Sequence, residues 1–172
     1  MLKLGLIYLF LFFKLITHGQ SNPTCSCEGL VDTEYKGLVN VYDKPNGTVK
    51  AQLKHDLKNE DYLVFKIEET LHDYFRMTIS YSINGKLVSG WVKKAKYLGT
   101  YPRAYSDPLQ LYSKPDKTST VTSIINPEDG KIAQILRCVT GWTYIRIEIK
   151  GQIKEGWLSS SDQCTNPYST CN

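Results

Sequence analysis

The feature that most limits what this chain can fold into is that it is written twice. Val39-Asn40-Val41-Tyr42-Asp43-Lys44-Pro45 and Leu109-Gln110-Leu111-Tyr112-Ser113-Lys114-Pro115 share the order apolar–polar–apolar–Tyr–polar–Lys–Pro at an offset of 70 residues. Further on, Gly85 to Val92 and Gly151 to Leu158 each close on Gly-Trp and an apolar residue, at an offset of 66. A repeated unit must bury its apolar face within itself or against its copy, so the repeat decides the architecture before any single element does.

The period inside each repeat is that of strands. Residues 39–42 and 109–112 alternate and are ended by Pro, which removes a ladder donor. Tyr62 to Ile67 and Lys131 to Leu136 read as second strands, and Tyr74 to Ile79 and Trp142 to Ile149 as third strands with Phe75, Met77 and Ile79 on one face. Asn84-Gly85, Lys150-Gly151 and Thr140-Gly141 are turn signals between them. Thr48 to Lys58 has the composition of a turn or two of helix. Each repeat therefore offers about five short strands in roughly 60 to 65 residues, an all-β pattern of small-barrel size. Gly99-Thr100-Tyr101-Pro102-Arg103 joins the halves with few residues to spare, which favours packed repeats over independent beads.

The first 19 residues stand outside this scheme. Met1-Leu2-Lys3 precedes ten apolar residues, Leu4 to Phe13, and Thr17 and Gly19 place small residues before Gln20. That is the order of a secretory signal peptide. Ten helical residues cover about 15 Å, half of a hydrocarbon core, so stable membrane insertion is not expected. Removing residues 1–19 takes Lys3 and Lys14 and leaves 19 basic against 17 acidic residues. So even a balance does not point to nucleic acid, whose footprint is a clustered basic face. In an exported chain Cys25, Cys27, Cys138, Cys164 and Cys171 are disulfide candidates, and an odd number leaves one thiol over.

The strand–Tyr–x–Lys–Pro opening, the Gly-Trp hairpin and the closing Gly-Trp-Leu/Val resemble the bacterial SH3-like domain. The second repeat carries the likeness best, in Leu109 to Pro115, Thr140 to Arg146 and Glu155-Gly156-Trp157-Leu158. The first repeat departs from it, with Asp73-Tyr74-Phe75 in place of the middle Gly-Trp and a longer loop at Glu68 to His72. The resemblance implies two small half-open barrels in tandem, 36–101 and 102–164. They would follow a signal peptide at 1–19 and a lead segment at 20–35, and precede a tail at 165–172. It implies a non-catalytic binding or scaffolding protein, periplasmic, cell-surface or extracellular, whose ligand is a peptide, a cell-wall fragment or a partner protein. Such modules also accompany NlpC-type wall peptidases, so an accessory or regulatory subunit of a separately encoded hydrolase, or a structural envelope protein, are the rival readings.

Residue by residue, little favours catalysis. A Cys–His nucleophile needs a His base in reach, and past residue 19 only His55 and His72 remain, both in the first repeat. The acids lie in turns without a paired interval, and no cysteine spacing matches a zinc site. No enzyme activity, cofactor or metal is therefore expected. Trp91, Trp142 and Trp157 read as core, whereas Tyr42, Tyr101, Tyr105 and Tyr112 beside Pro-containing turns are the candidate binding residues. For the cysteines, the SH3-like strand order brings the end of the Trp157 strand back toward Cys138, which makes Cys138–Cys164 the favoured bridge. Beside that bridge Cys25 or Cys27 could reach Cys171, leaving the other thiol free; Cys164–Cys171 is the competing bridge.

Overall fold

The computed structural model describes residues 25–103, 107–126 and 131–169. The segments 1–24, with the signal-like run, and 104–106, with Tyr105, lie outside these, as does Cys171. The described chain is all-β and antiparallel: thirteen strands and a single 3-10 turn at Ser160–Asp162. In chain order the strands are β1 (Cys27–Val31), β2 (Val39–Tyr42), β3 (Val49–Leu53), β4 (Leu63–Leu71), β5 (Tyr74–Tyr81), β6 (Leu87–Lys93) and β7 (Leu98–Pro102). They continue with β8 (Leu109–Tyr112), β9 (Val121–Ile125), β10 (Ala133–Val139), β11 (Trp142–Ile149), β12 (Gln152–Leu158) and β13 (Gln163–Cys164).

The repeat is visible in the topology. The sheet runs β3-β2-β6-β5-β4-β1-β7-β10-β11-β12-β8-β9, with β13 paired to β7. Renumbered from its own lead strand, the second half has the same neighbour order as the first, and the two meet head to head. Strand β1 pairs with β4 on one side and β7 on the other, through Leu30↔Gly99 and Val31↔Leu98. Strand β7 pairs in turn with β10. The outcome is one continuous sheet that does not close on itself.

Local chemistry accounts for the hairpins. Thr140-Gly141 and Lys150-Gly151 both hold positive φ at the two central positions, 46° and 84°, and 50° and 77°. That is the type I′ geometry whose twist matches two-residue hairpins. The Gly-Trp motif has a second cause. A Cβ on Gly90 would run into Val41 and the Tyr42 carbonyl, and one on Gly156 into Leu111 and Thr122. Only glycine lets β2 and β8 approach the strands where Trp91 pairs with Tyr42 and Trp157 with Tyr112. The core follows the alternation, with Phe75, Met77 and Ile79 on β5 and Ile145 and Ile147 on β11 withdrawn from solvent. Trp157 is buried, while Trp91 and Trp142 are half-buried.

Three expectations change. The Gly99–Arg103 linker is largely strand, because β7 supplies half of the seam between the repeats. The 20–35 lead carries β1 for the same reason. Residues 49–53 extend as an edge strand on β2 instead of coiling into a helix.

Candidate functional site

The described surface gathers basic and aromatic side chains in the first half, around Tyr35. One cleft of about 510 Å3 has Tyr35, Lys36, Lys54, Leu57, Lys58 and Tyr81 in its wall. A second, of about 230 Å3, shares Tyr35 and adds Tyr42, Lys93, Lys94 and Tyr97. Tyr35 is therefore the partition between two neighbouring clefts.

Each wall is set by a nearby element. Tyr35 stacks on Tyr97 with ring centroids 4.0 Å apart and 18° between planes, and donates to the Leu38 carbonyl at 3.3 Å. Burial, then the neighbouring Tyr35, pushes the Tyr97 phenol up to about 12. Tyr42 meets Tyr74 edge-on at 6.0 Å, and Tyr74 donates to Asn46 Oδ1, so the β2–β3 turn is fixed to β5. Tyr81 donates to the Lys54 carbonyl at 3.0 Å. The floor of the larger cleft is His55, which is 6% exposed. Its Nδ1 accepts from Leu63 N–H at 3.0 Å and its Nε2 lies 3.0 Å from the Asp32 carbonyl, so the proton belongs on Nε2. With both ring nitrogens occupied by backbone, His55 shapes the cleft.

The charge is unbalanced. Lys36, Lys54 and Lys58 are exposed, and among the described residues none stands within ion-pair distance of a carboxylate. The acid in that wall, Asp56, accepts from the Asn59 side-chain amide at 2.7 Å, which holds its carboxyl below the usual range. Lys94 lies over the Phe75 ring at 4.9 Å, and burial lowers its pKa while the charge of Asp73 opposes that shift. Leu38 and Leu57, 47% and 52% exposed, supply apolar surface at the rims. The second half has no matching set: where the first has Lys54-His55-Asp56-Leu57-Lys58, the sequence 72 residues on reads Asn126-Pro127-Glu128-Asp129-Gly130.

Of the expected binding residues, Tyr42 lies in the smaller cleft. Tyr112, its counterpart, is buried with its ring edge-on to Trp142 at 5.9 Å. Tyr101 sits on β7, half-buried and paired with Cys164. Tyr105 lies outside the described residues. The three described ones share no cleft: of them only Tyr42 lines one. Tyr35, Lys36, Lys54, Lys58, Tyr81 and Tyr97 were not singled out by the sequence, since they converge from four separate segments.

The favoured cysteine bridge is not the one formed. Cys138 bonds toward β1, with Cα separations of 5.5 Å to Cys25 and 6.0 Å to Cys27. After β12 the chain turns through Ser160–Asp162 and crosses to β7, where Cys164 pairs with Tyr101, while Cys138 already meets the Cys25–Cys27 segment at bonding distance. Cys164 is itself disulfide-bonded, with a partner other than Cys25, Cys27 or Cys138. Among the described residues no helix is long and apolar enough to cross a membrane. No protein-family model matches the sequence, and no curated protein does.

Proposed function

We propose that this chain is an exported, non-catalytic binding protein built of two SH3-like modules, and that the first module holds an extended acidic peptide of a partner protein. The repeated strand order and the Gly-Trp close approach support the SH3-like reading of each half. The observation that carries the binding reading is the pair of clefts sharing Tyr35, where three lysines without an ion-paired carboxylate among the described residues line a wall whose one acid, Asp56, is already engaged by Asn59. Stiff, amphipathic tyrosines give contact area at low entropic cost, and lysines select the sign of the ligand. The larger cleft follows directly from β3, an edge strand with no strand on its outer side among the described residues. An extended segment can add there by main-chain hydrogen bonds while its acids reach Lys36, Lys54 and Lys58. The second half, whose sequence reads Pro127-Glu128-Asp129 at the matching positions, serves as scaffold.

The test is fluorescence anisotropy of a fluorescein-labelled peptide of alternating Glu and Tyr, titrated with the protein at low and moderate salt. At roughly 0.5–1 kcal/mol per exposed charge, the triple variant Lys36→Glu/Lys54→Glu/Lys58→Glu should weaken binding about tenfold to a hundredfold. Lys114→Glu/Lys131→Glu/Lys150→Glu in the second half should leave it within about twofold. Equal losses from the two triples would refute the assignment. Saturable binding of a soluble anionic wall glycan, with none of the peptide, would move the ligand class.

A further inference from the structure

Beneath the seam of the two halves, the Sγ atoms of Cys25, Cys27 and Cys138 all lie within 4.8 Å of one another, and all three residues are buried. Cys138 reaches both of the others across Cα separations of 5.5 and 6.0 Å, each inside the range a disulfide spans without moving backbone. A sulfur in a disulfide holds one such bond. At any moment, then, Cys138 is joined to one of the two and the other is a thiol.

Each alternative has a place for its thiol. When Cys25 holds the bond, the Cys27 S–H donates to the Trp142 carbonyl at 3.2 Å. When Cys27 holds it, Cys25 Sγ stands 3.8 Å from Thr70 Oγ1. Directly across from Cys138 in the β10–β11 ladder is Thr143, whose fully buried hydroxyl is without a partner among the described residues. Facing residues of an antiparallel pair project to the same side of the sheet. The ladder thus carries a buried hydroxyl, without a partner among the described residues, on the side that bears Cys138.

We infer that Cys25, Cys27 and Cys138 form an exchange site in which the single disulfide of Cys138 passes between Cys25 and Cys27. In the forward step the Cys27 thiol loses its proton and its thiolate lone pair forms the new bond to Cys138 Sγ. The electron pair of the Cys25–Cys138 bond leaves on Cys25 Sγ, which takes up a proton. One disulfide and one thiol are present before and after, so no oxidant or reductant is consumed. The two states differ in what is tied down. Cys27 belongs to β1, opposite Ile67 of β4, so a bond there clamps a strand that its ladder already holds. Cys25 precedes β1, so a bond there fastens the chain ahead of the sheet to β10. The exchange decides where the N-terminal segment is anchored.

The oxidised full chain, held at pH 8 and quenched in acid, is unfolded in guanidinium with N-ethylmaleimide at pH 5, where thiolate exchange is stopped. Tandem mass spectrometry then locates the label within the peptide that contains both Cys25 and Cys27. The label should be found on Cys25 and on Cys27, in amounts within about tenfold of each other, and not on Cys138. Label confined to one of the two would show a fixed bridge and overturn the inference, and label on Cys138 would do the same. Cys25→Ser and Cys27→Ser supply the second readout. Each should oxidise to a bond between Cys138 and the remaining partner and take up no label, and a variant that leaves Cys138 alkylatable would refute the exchange.

Discussion

Cys138→Ala removes a covalent tie between the two halves whichever partner it holds, so its cost follows from the length of chain it closes. The bond spans 113 residues to Cys25 or 111 to Cys27. In the chain-entropy description a loop of that length is worth about 5 kcal/mol at 25 °C, close to the upper end of what disulfides deliver. The β1–β7 seam survives in the variant, and residual order in its unfolded chain lowers the figure to about 3–5 kcal/mol. For a chain of this size about 2–4 °C of melting temperature accompanies each kcal/mol, giving a fall of roughly 6–20 °C. The assay is urea and thermal unfolding of the oxidised forms, followed by the fluorescence of Trp142 and Trp157, near Cys138 and across the adjacent ladder. Both proteins retain the Cys164 bond, so the difference isolates one crosslink. A loss below about 1 kcal/mol would mean that the halves are already held as if crosslinked, and that the entropic account of this bond is wrong.

Two further outcomes are expected. Gly99→Val should cost about 2–4 kcal/mol in the same urea titration, because a side chain on β7 would run into Ile132 and the Ala133 carbonyl at the seam, and close-packed interiors tolerate added volume poorly; an unchanged midpoint would show that the seam yields freely. Alkaline absorbance titration should find one tyrosine with a midpoint near pH 12, removed in Tyr97→Phe. The folded value there exceeds the ordinary value of 10, so the folded state keeps its proton longer and stability falls as pH rises from about 10 to 12.

What the sequence disclosed, and what it hid, depends on how each strand is buried. The alternating β2, β4, β5 and β11 were legible because one face is wet and the other dry, and β12 by its hairpin turn and Gly-Trp close, since its burial runs from exposed to buried along the strand. Strands β1 and β7 were not. Four of five residues in each are buried, so alternation vanishes, and Gly29, Gly99 and Pro102 give the short segments the look of a lead and a linker. Strand β3 misled for the opposite reason. Mostly exposed at the sheet edge, it has apolar residues at Val49, Leu53 and Leu57, a spacing of four that imitates a helix. The cysteine pairing could not be found without placing β1. The basic clefts stayed hidden because alternation along a strand says nothing of which loops meet beyond its end.

The chain makes its central strand first. Strand β1 has no partner until Leu63–Leu71 is synthesised, and its other side waits for Leu98–Pro102. At about 5–20 residues per second, those waits come to roughly 2–7 s and 4–14 s for a nascent chain. During that time Leu30 and Val31, which end fully enclosed, are open to any other strand edge nearby. A nascent or truncated chain that stops short of residue 98 is therefore left with an adhesive margin in the place where the finished protein has its middle.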